Sequence, residues 1–535
     1  MKAASNSNAL KSVEQAYDEV NYESNPFSQS HPSHLQALAR LFGLNAPDFK
    51  KARILELGCS SGGNIIPIAA YYPNTKCVGV DLSSKQVERG QKIIDGLGLK
   101  NMTLKAMSIT DITKKEFGEF DYIISHGVYS WVPDMVQEAM LKVCGELLSP
   151  KGVAYISYNT LPGWNMVRSF REMMLFHTRG ITDPAKKLEQ ACAFVKYVTD
   201  LNKDSNSPYI QALQQEMNML DGKDAYYFLH DHLEINNHPC YLYEFMERAE
   251  KHGLQYLSDT HPHATYIGAL VSPEVVRKLG EVNNLVAQEQ YVDFLINRRF
   301  RSTLLCKREN ILQRAVSSAS LGDLAVLSTV KSSIASNVLT KQNLSKAEFR
   351  LGSGATCNKN NKNLAMLLFH LVKQGSEPIK VESLYKEVLK SLKVEKGQEQ
   401  AILLELGAHM LNLVFYGGVE LLAEEVTLGT KKVSPKPKIF EIAKQQALNS
   451  NIGTNALHKP VAMNSIIVKL LVGLLDGKHD KKQIFAKLSK AVEDNKLQLK
   501  TNDQVVETVE DREKLLAEML DQALQYFAAN GLLEK

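Results

Sequence analysis

In the first third of the chain, short apolar runs alternate with segments of helical period. Arg53–Leu57 (RILEL) reads as a strand that ends in a glycine-rich turn, Gly58–Gly63, with Ile65–Tyr72 as the helix behind it. Cys77–Val80 is the next run, stopped by Asp81, and Gln86–Leu97 reads as a second helix. Met102–Ala106, Tyr122–Ser125 and Val153–Ser157 are three further strands. Strand–helix alternation at this spacing predicts a parallel α/β sheet.

The pattern then changes. Trp164–Leu220 is mostly helical in period, and residues 164–240 read as a helical insertion. Tyr243–His252 is a helix stopped by Gly253, and Leu254–Asp259 and Arg301–Lys307 are strands, which closes the α/β region near residue 310. Beyond it the periodicity is mainly helical, at Leu364–Val372, Ala401–Tyr416, Ile466–Leu475, Lys481–Val492 and Arg512–Ala529, with a short strand at Val419–Leu422. Gly531 is a helix-stop signal, and the Lys- and Pro-rich stretch 426–438 reads as a linker. The division expected is a nucleotide-binding core at 1–163, the insertion at 164–240, a return to the core at 241–310, a middle helical domain at 311–430 and a C-terminal helical domain at 439–535. The last two have a winged-helix-like succession of helices.

Composition narrows the function classes. The chain has 535 residues, 63 Lys plus Arg against 59 Asp plus Glu, and a formal net charge of +4. That balance excludes a polybasic nucleic-acid arm as the dominant feature. Seven cysteines lie far apart with no CxxC pair, which fits a reducing compartment and argues against a zinc knuckle. The start, MKAASNSNAL, has no apolar signal core, and no run approaches the ~20 apolar residues of a membrane span. A cytoplasmic protein without membrane insertion is expected.

The turn after the first strand, Glu56-Leu57-Gly58-Cys59-Ser60-Ser61-Gly62-Gly63, brings backbone close to a ligand with a helix N-terminus behind it. A hydride-transfer site wants G-x-G-x-x-G, and Ser60 stands at the second glycine position. A methyl-donor site wants an acidic residue at the strand end and glycines that cradle an adenosine, which Glu56 and Gly58 supply. Asp81 closes the second strand, where a carboxylate can accept both ribose hydroxyls, with Leu82 and Ser83 following. Ser108 and the backbone at Ile109 stand where adenine would lie, and Asp111 is three residues on. A glycine turn with a capping Asp in some other α/β protein is the bland alternative. The register of Glu56, Asp81 and the later strands favours the methyl donor.

Several stretches carry a family likeness: YDEVNYESNPFSQSHP (Tyr17–Pro32), ILELGCSSGGNIIPIA, FDYIISHGVYSWVP, GVAYISYNTLPGW, and FLHDHLEINNHPCYLYEF followed by LQYLSD. Across residues 17 to about 259 the chain resembles bacterial class I methyltransferases with a regulatory domain. Within them it resembles the rickettsial protein lysine methyltransferases that modify outer membrane protein B. The resemblance implies a Rossmann-like seven-stranded core, S-adenosylmethionine as donor, a protein lysine ε-amine as acceptor, and helical C-terminal domains that handle the substrate. Ser60, where the wider superfamily often has glycine, departs from the pattern at the methionine tail.

Methyl transfer needs alignment more than acid–base chemistry, because near-attack geometry supplies about 7–11 kcal/mol. Aromatic faces can stabilise the sulfonium and guide a lysine chain. Tyr129, Trp131, Tyr158, Tyr17 and Tyr22 are the candidates, with Trp131 on the acceptor side. Trp164 follows the fifth strand and either rims the site or packs. His126, at the end of the fourth strand, either takes a proton, bonds the cofactor or is structural. His230-Asp231-His232-Leu233-Glu234 could share ligands on one strand face, but a hydrogen-bonded role for His230, His232, His238, His252, His261 and His263 is expected over a metal. Two rivals stand beside a protein acceptor: methylation of RNA or a small molecule, and a cofactor-sensing nucleic-acid-binding regulator. The acidic character of 485–535 lowers the latter, so no nucleic-acid partner is expected. The sequence leaves a homodimer open.

Overall fold

The computed structural model describes residues 24–203, 205–220, 232–234, 236–357, 360–395, 397–501, 504–506 and 508–535. Tyr17, Tyr22 and His230 lie outside the described residues.

Seven strands form one mixed sheet: β1 (Arg53–Leu57), β2 (Lys76–Asp81), β3 (Met102–Ala106), β4 (Phe120–Ser125), β5 (Leu148–Asn159), β6 (Leu254–Asp259) and β7 (Phe300–Lys307). Their spatial order is β3-β2-β1-β4-β5-β7-β6. β1 to β5 pair in parallel, whereas β7 runs antiparallel to both β5 and β6. The expectation of a parallel sheet therefore holds for five strands, and β7 enters between its neighbours in the opposite sense. Parallel pairing puts the ends of β1, β2, β3 and β4 on one edge, so Leu57, Asp81, Ala106 and Ser125 open on the same crevice.

Alternation along each strand feeds two cores, one on each face of the sheet. Ile54, Tyr122, Ile124 and Tyr155 pack into one; Leu55, Leu57, Ile123 and Ile156 pack into the other. Helices α1 (Pro32–Leu41), α2 (Ile65–Tyr71), α3 (Ser84–Leu97) and α4 (Asp134–Leu147) cover these faces. α1 begins at a proline, whose missing N–H costs nothing at that position, and His31 Nδ1 accepts from Ser33 N at 3.2 Å as its cap.

After β5 come α5 (Trp164–His177), α6 (Pro184–Leu201) and α7 (Pro208–Leu220). They close a small core of their own around Phe170, Met174, Val195 and Leu213. α8 (Leu242–Lys251) and α9 (Leu285–Ile296) then flank β6 and lead to β7.

The C-terminal half does not hang off this body. Leu324, Val326, Leu371, Leu384 and Met410 join the same apolar cluster as Ile54 and Tyr122 of the sheet. His34 on α1 bonds the carbonyls of Leu421 (2.7 Å) and Thr260 (2.8 Å), so one imidazole ties the two halves together. Ala325–Ser328, a strand the helical reading passed over, sits between Ile379–Lys380 and Val419–Leu422. The last hundred residues form a separate core of helices Glu441–Asn449, Ile466–Val472, Lys481–Glu493 and Val509–Ala529, with two short hairpins, in a winged-helix arrangement. The hairpin Ile452–Thr454/Pro460–Ala462 was also absent from the periodicity, being three residues a side.

No helix among the described residues is long and apolar enough to cross a membrane.

Candidate active site

A cavity of about 630 Å³ opens at the carboxyl ends of β1, β2 and β4, within the range of small-molecule sites. Its floor is the β1–α2 turn. Gly58 takes φ +73°, and a Cβ there would meet Val128 Cγ2 at 2.5 Å. Ser60 also adopts a left-handed backbone, φ +50°, which explains why glycine is the commoner residue at this position. Its N–H donates to Asp81 Oδ2 at 2.7 Å, and its hydroxyl is buried without a partner.

Asp81 also accepts from Ser83 N at 2.9 Å through Oδ1. Each carboxylate oxygen has two lone pairs, so a diol remains within its capacity. Glu56 is buried at the end of β1. Asn64 Nδ2 donates to its Oε1 at 2.7 Å, while Oε2 is buried with no partner. Burial pushes the Glu56 carboxyl up to about 8, against the Asn64 hydrogen bond and with help from Asp81 nearby. An incoming ammonium would reverse that and complete the orphan oxygen.

Leu82, Ser108 and Ile109 line the wall beyond Asp81. Ser108 caps the 3-10 turn Ile109–Asp111, its Oγ accepting from Thr110 N at 3.2 Å. Asp111 is not among the lining residues. His126 also lines the cavity, with the Phe27 ring centroid 3.7 Å away. Its Nδ1 lies 2.6 Å from Tyr155 OH. Burial, then His261, pulls it down to about 4. A group that stays neutral to such acidity is a poor acceptor for an ammonium proton, so the structure favours His126 as wall over His126 as base.

Trp131 and Trp164 stand together, ring centroids 6.2 Å apart and nearly perpendicular, and both line the cavity. Trp164 Nε1 donates to Asn237 Oδ1 at 2.6 Å. Two other predicted aromatics do not reach the site. Tyr158 stacks on Phe245 at 4.3 Å and bonds Thr303 Oγ1 at 3.0 Å, inside the core. The reason is the strand period: Asn159, one residue on, takes the cavity face and leaves Tyr158 the opposite one. Tyr129 packs edge-on against Phe245 at 5.2 Å with its hydroxyl buried and unpartnered. It shares a 3-10 turn with Trp131, and only Trp131 turns to the cavity.

Sequence reasoning missed Phe27, Asn64, Glu216, Arg299 and Phe300, all of which line the cavity. Arg299 on the β7 approach grips Glu216 of α7 through two hydrogen bonds, at 2.9 and 2.5 Å. That pair closes one wall with residues some eighty positions apart, which no local pattern announces. Among the described residues, no group of three or more His, Cys, Asp or Glu could hold a metal ion. His252 instead bonds Glu138 at 2.6 Å, and His232 packs edge-on to Phe170.

The residues fit an adenosyl amino acid. The Asp81 carboxylate at a strand end could accept a ribose diol, apolar Ile109 and Val136 with Ser108 could flank a base, and the orphaned Glu56 oxygen could take a cation.

Comparison with known proteins agrees with this geometry. Residues 55–154 match a family described as a methyltransferase domain, 224–307 a predicted methyltransferase regulatory domain, and 435–532 the C-terminal winged helix domain of PKMT. The uncharacterized protein RP789 of Rickettsia prowazekii is 38% identical over 97% of this chain and 93% of its own length. A second protein of that organism, RP028, is 43% identical over 44% of this chain and 94% of its own. The structure of PKMT2 from Rickettsia typhi in complex with AdoHcy superposes with a TM-score of 0.84 at 32% identity, covering 96% of this chain and all of that one. The chain belongs to the rickettsial protein lysine methyltransferase family, enzymes of the class I fold that take their methyl group from S-adenosylmethionine.

Proposed function

We propose that this enzyme methylates lysine ε-amines of a protein, and that the protein is an outer membrane protein. One observation carries the reading. The cavity that fits the donor is also lined by the Trp131–Trp164 pair and Phe300, beside the Arg299–Glu216 ion pair, an aromatic wall suited to a long cationic side chain. The family resemblance supplies the outer membrane acceptor.

S-adenosylmethionine supplies an electrophilic methyl on a sulfonium. The chain's own residues bind, orient and exclude water. Asp81 and Glu56 fix the two polar ends, and His126 with Phe27 forms a dry wall beside them. The indoles restrict the approach of the acceptor, and loss of water in the closed channel disfavours its charged form, which lowers the amine pKa. The neutral amine would then displace the sulfonium in line, its lone pair taking the methyl as the C–S bond breaks and S-adenosylhomocysteine leaves, and the methylammonium formed would lose its proton to solvent. No lining residue serves as base in this reading, consistent with the depressed His126.

The test offers donor labelled in the methyl group to an unmethylated outer membrane protein, to total RNA and to free lysine. Methyl-lysine in the digested protein, with RNA and free lysine unlabelled, is expected. Label confined to RNA or to the small molecule defeats the reading.

A further inference from the structure

The back of the cofactor site contains a residue from the other end of the chain. His458 lies at the tip of the hairpin Ile452–Thr454/Pro460–Ala462, in the winged-helix region. It is 2% exposed and takes φ +59°, a left-handed backbone unusual for histidine. The tip is built to hold it there. Asn455 Oδ1 accepts from Leu457 N and Lys459 N at 3.0 Å each, and His458 N donates to Asn455 O at 2.9 Å.

From this tip the imidazole reaches into the methyltransferase core. His458 Nε2 donates to Asn64 Oδ1 at 2.8 Å. The same oxygen accepts from Phe27 N at 2.9 Å, so the two donors together hold the amide in one orientation. Asn64 Nδ2 therefore points the other way and donates to Glu56 Oε1 at 2.7 Å. Glu56 lines the cavity with its second oxygen unpartnered. The line from hairpin to cavity is thus His458, Asn64, Glu56, with every member nine-tenths buried or more. Tyr71 OH donates to Thr454 O at 2.8 Å and pins the hairpin from a second direction.

We propose that the C-terminal winged-helix domain completes the cofactor site: His458 is a positioning residue that, through Asn64, sets the Glu56 carboxyl for the cationic end of the methyl donor. The inference rests on the donor's identity, and it adds that docking of this hairpin and occupancy of the site are coupled. Such coupling is reciprocal. Whatever the hairpin does for cofactor affinity, bound cofactor does for the hairpin. Without His458 the Asn64 oxygen would keep Phe27 N (2.9 Å) and Ser30 Oγ (3.3 Å), while Nδ2, already shared between Glu56 Oε1 (2.7 Å) and Ser30 Oγ (3.1 Å), would be held less firmly toward the carboxyl.

Two measurements on the full chain test this, with S-adenosylhomocysteine as the probe. In the unaltered protein, hydrogen exchange at 452–462 should slow several-fold when the probe is added, although the hairpin lines no part of the cavity. His458→Asn keeps a residue tolerant of the left-handed backbone but is too short to reach Asn64. It should raise the calorimetric Kd roughly tenfold, the upper end of the scale of one neutral hydrogen bond. His458→Gln, which restores reach and a donor, should recover most of that loss. Unchanged exchange in the parent chain overturns the proposal, and so does an unchanged Kd in a folded His458→Asn. Equal weakening by Asn and Gln points to a merely structural tip and also overturns it. Failure of the parent chain to bind S-adenosylhomocysteine at all is a different result, and defeats the cofactor assignment itself.

Discussion

Asp81→Ala is the sharpest perturbation of the donor site. In the protein alone the carboxylate accepts from Ser60 N at 2.7 Å and from Ser83 N at 2.9 Å. The first of these holds Ser60 in its left-handed backbone, a conformation that costs on the order of 1–3 kcal/mol unless its surroundings enforce it. With the donor bound, the ribose assignment adds a further task, accepting from its hydroxyls. A lost hydrogen bond to a charged group is worth about 1.5–3 kcal/mol. Cofactor affinity should therefore fall roughly 10- to 150-fold. Part of that loss is the loosened turn rather than the missing contact. Adding Ser60→Gly to Asp81→Ala separates the two, because glycine takes the left-handed conformation without the Asp81 tether. The double variant should regain affinity over the single one yet stay weaker than the parent. The assay is calorimetric titration with S-adenosylhomocysteine, after circular dichroism shows each variant folded. Affinity within twofold of the parent for Asp81→Ala would refute the ribose assignment. Full recovery in the double variant would show that Asp81 acts only on the turn.

Trp131→Ala should lower turnover on a protein acceptor at least tenfold while leaving cofactor Kd within a few-fold; collapse of cofactor binding with turnover at saturation intact would move the indole to the donor side. Arg301 on β7 is buried and bonds Asp293 (2.7 and 2.8 Å) and Glu289 (2.8 Å) on α9. Arg301→Met leaves buried Glu289 with the Tyr256 hydroxyl but without its guanidinium, and Asp293 with Arg298, and should destabilise the fold by about 3–5 kcal/mol, read as a lowered urea midpoint. Glu289→Gln added to it should recover much of the loss, and no recovery would show that packing rather than charge decides. Stability should also peak near neutral pH. Burial, then a neighbouring histidine, holds His31 near 3 and drives His458 down, against an ordinary 6.5. The unfolded chain thus binds protons the folded chain refuses, and stability is lost as pH falls from 6.5 towards 3. Glu56, raised from 4.5 to about 8, works the other way: the folded chain keeps a proton the unfolded chain releases, so its contribution declines as pH rises from 4.5 to 8. Urea midpoints at pH 5, 6.5 and 8 check this, and a flat profile would contradict it.

The strands of the core were legible because each is a run of apolar residues flanked by a turn signal. Arg53–Leu57, Met102–Ala106 and Leu254–Asp259 are observed at the bounds their sequence implies. Asp81 and Ser108 were legible for the same reason, since a residue at the end of a parallel strand has only one edge to occupy. Side-chain direction was harder. Tyr158 and Asn159 are adjacent on β5, and a one-residue difference in phase decides which faces the cavity. The strand is twelve residues long and starts at Leu148, five positions before the apolar run that revealed it, so the phase could not be read from the run alone.

What the sequence withheld altogether is contact between distant segments. Arg299 and Glu216 meet across the cavity wall because β7 and α7 are brought together by the whole topology. His458 gives even less notice. It sits in a hairpin of three-residue strands, below the length at which alternation is visible, and its partner is nearly four hundred residues away. The family resemblance implies a C-terminal half that handles the acceptor, and periodicity reads it as domains apart from the core. The shared core of Ile54 and Tyr122 with Val326 and Met410, together with His34 bonded to both halves, makes it part of the body instead. A cut at residue 310 would expose that face of the sheet and remove the hairpin behind Glu56. Loss of methylation after such a cut therefore cannot by itself assign substrate recognition to the missing half. Point changes on its surface, made with the core and His458 intact, are the way to find where the acceptor binds.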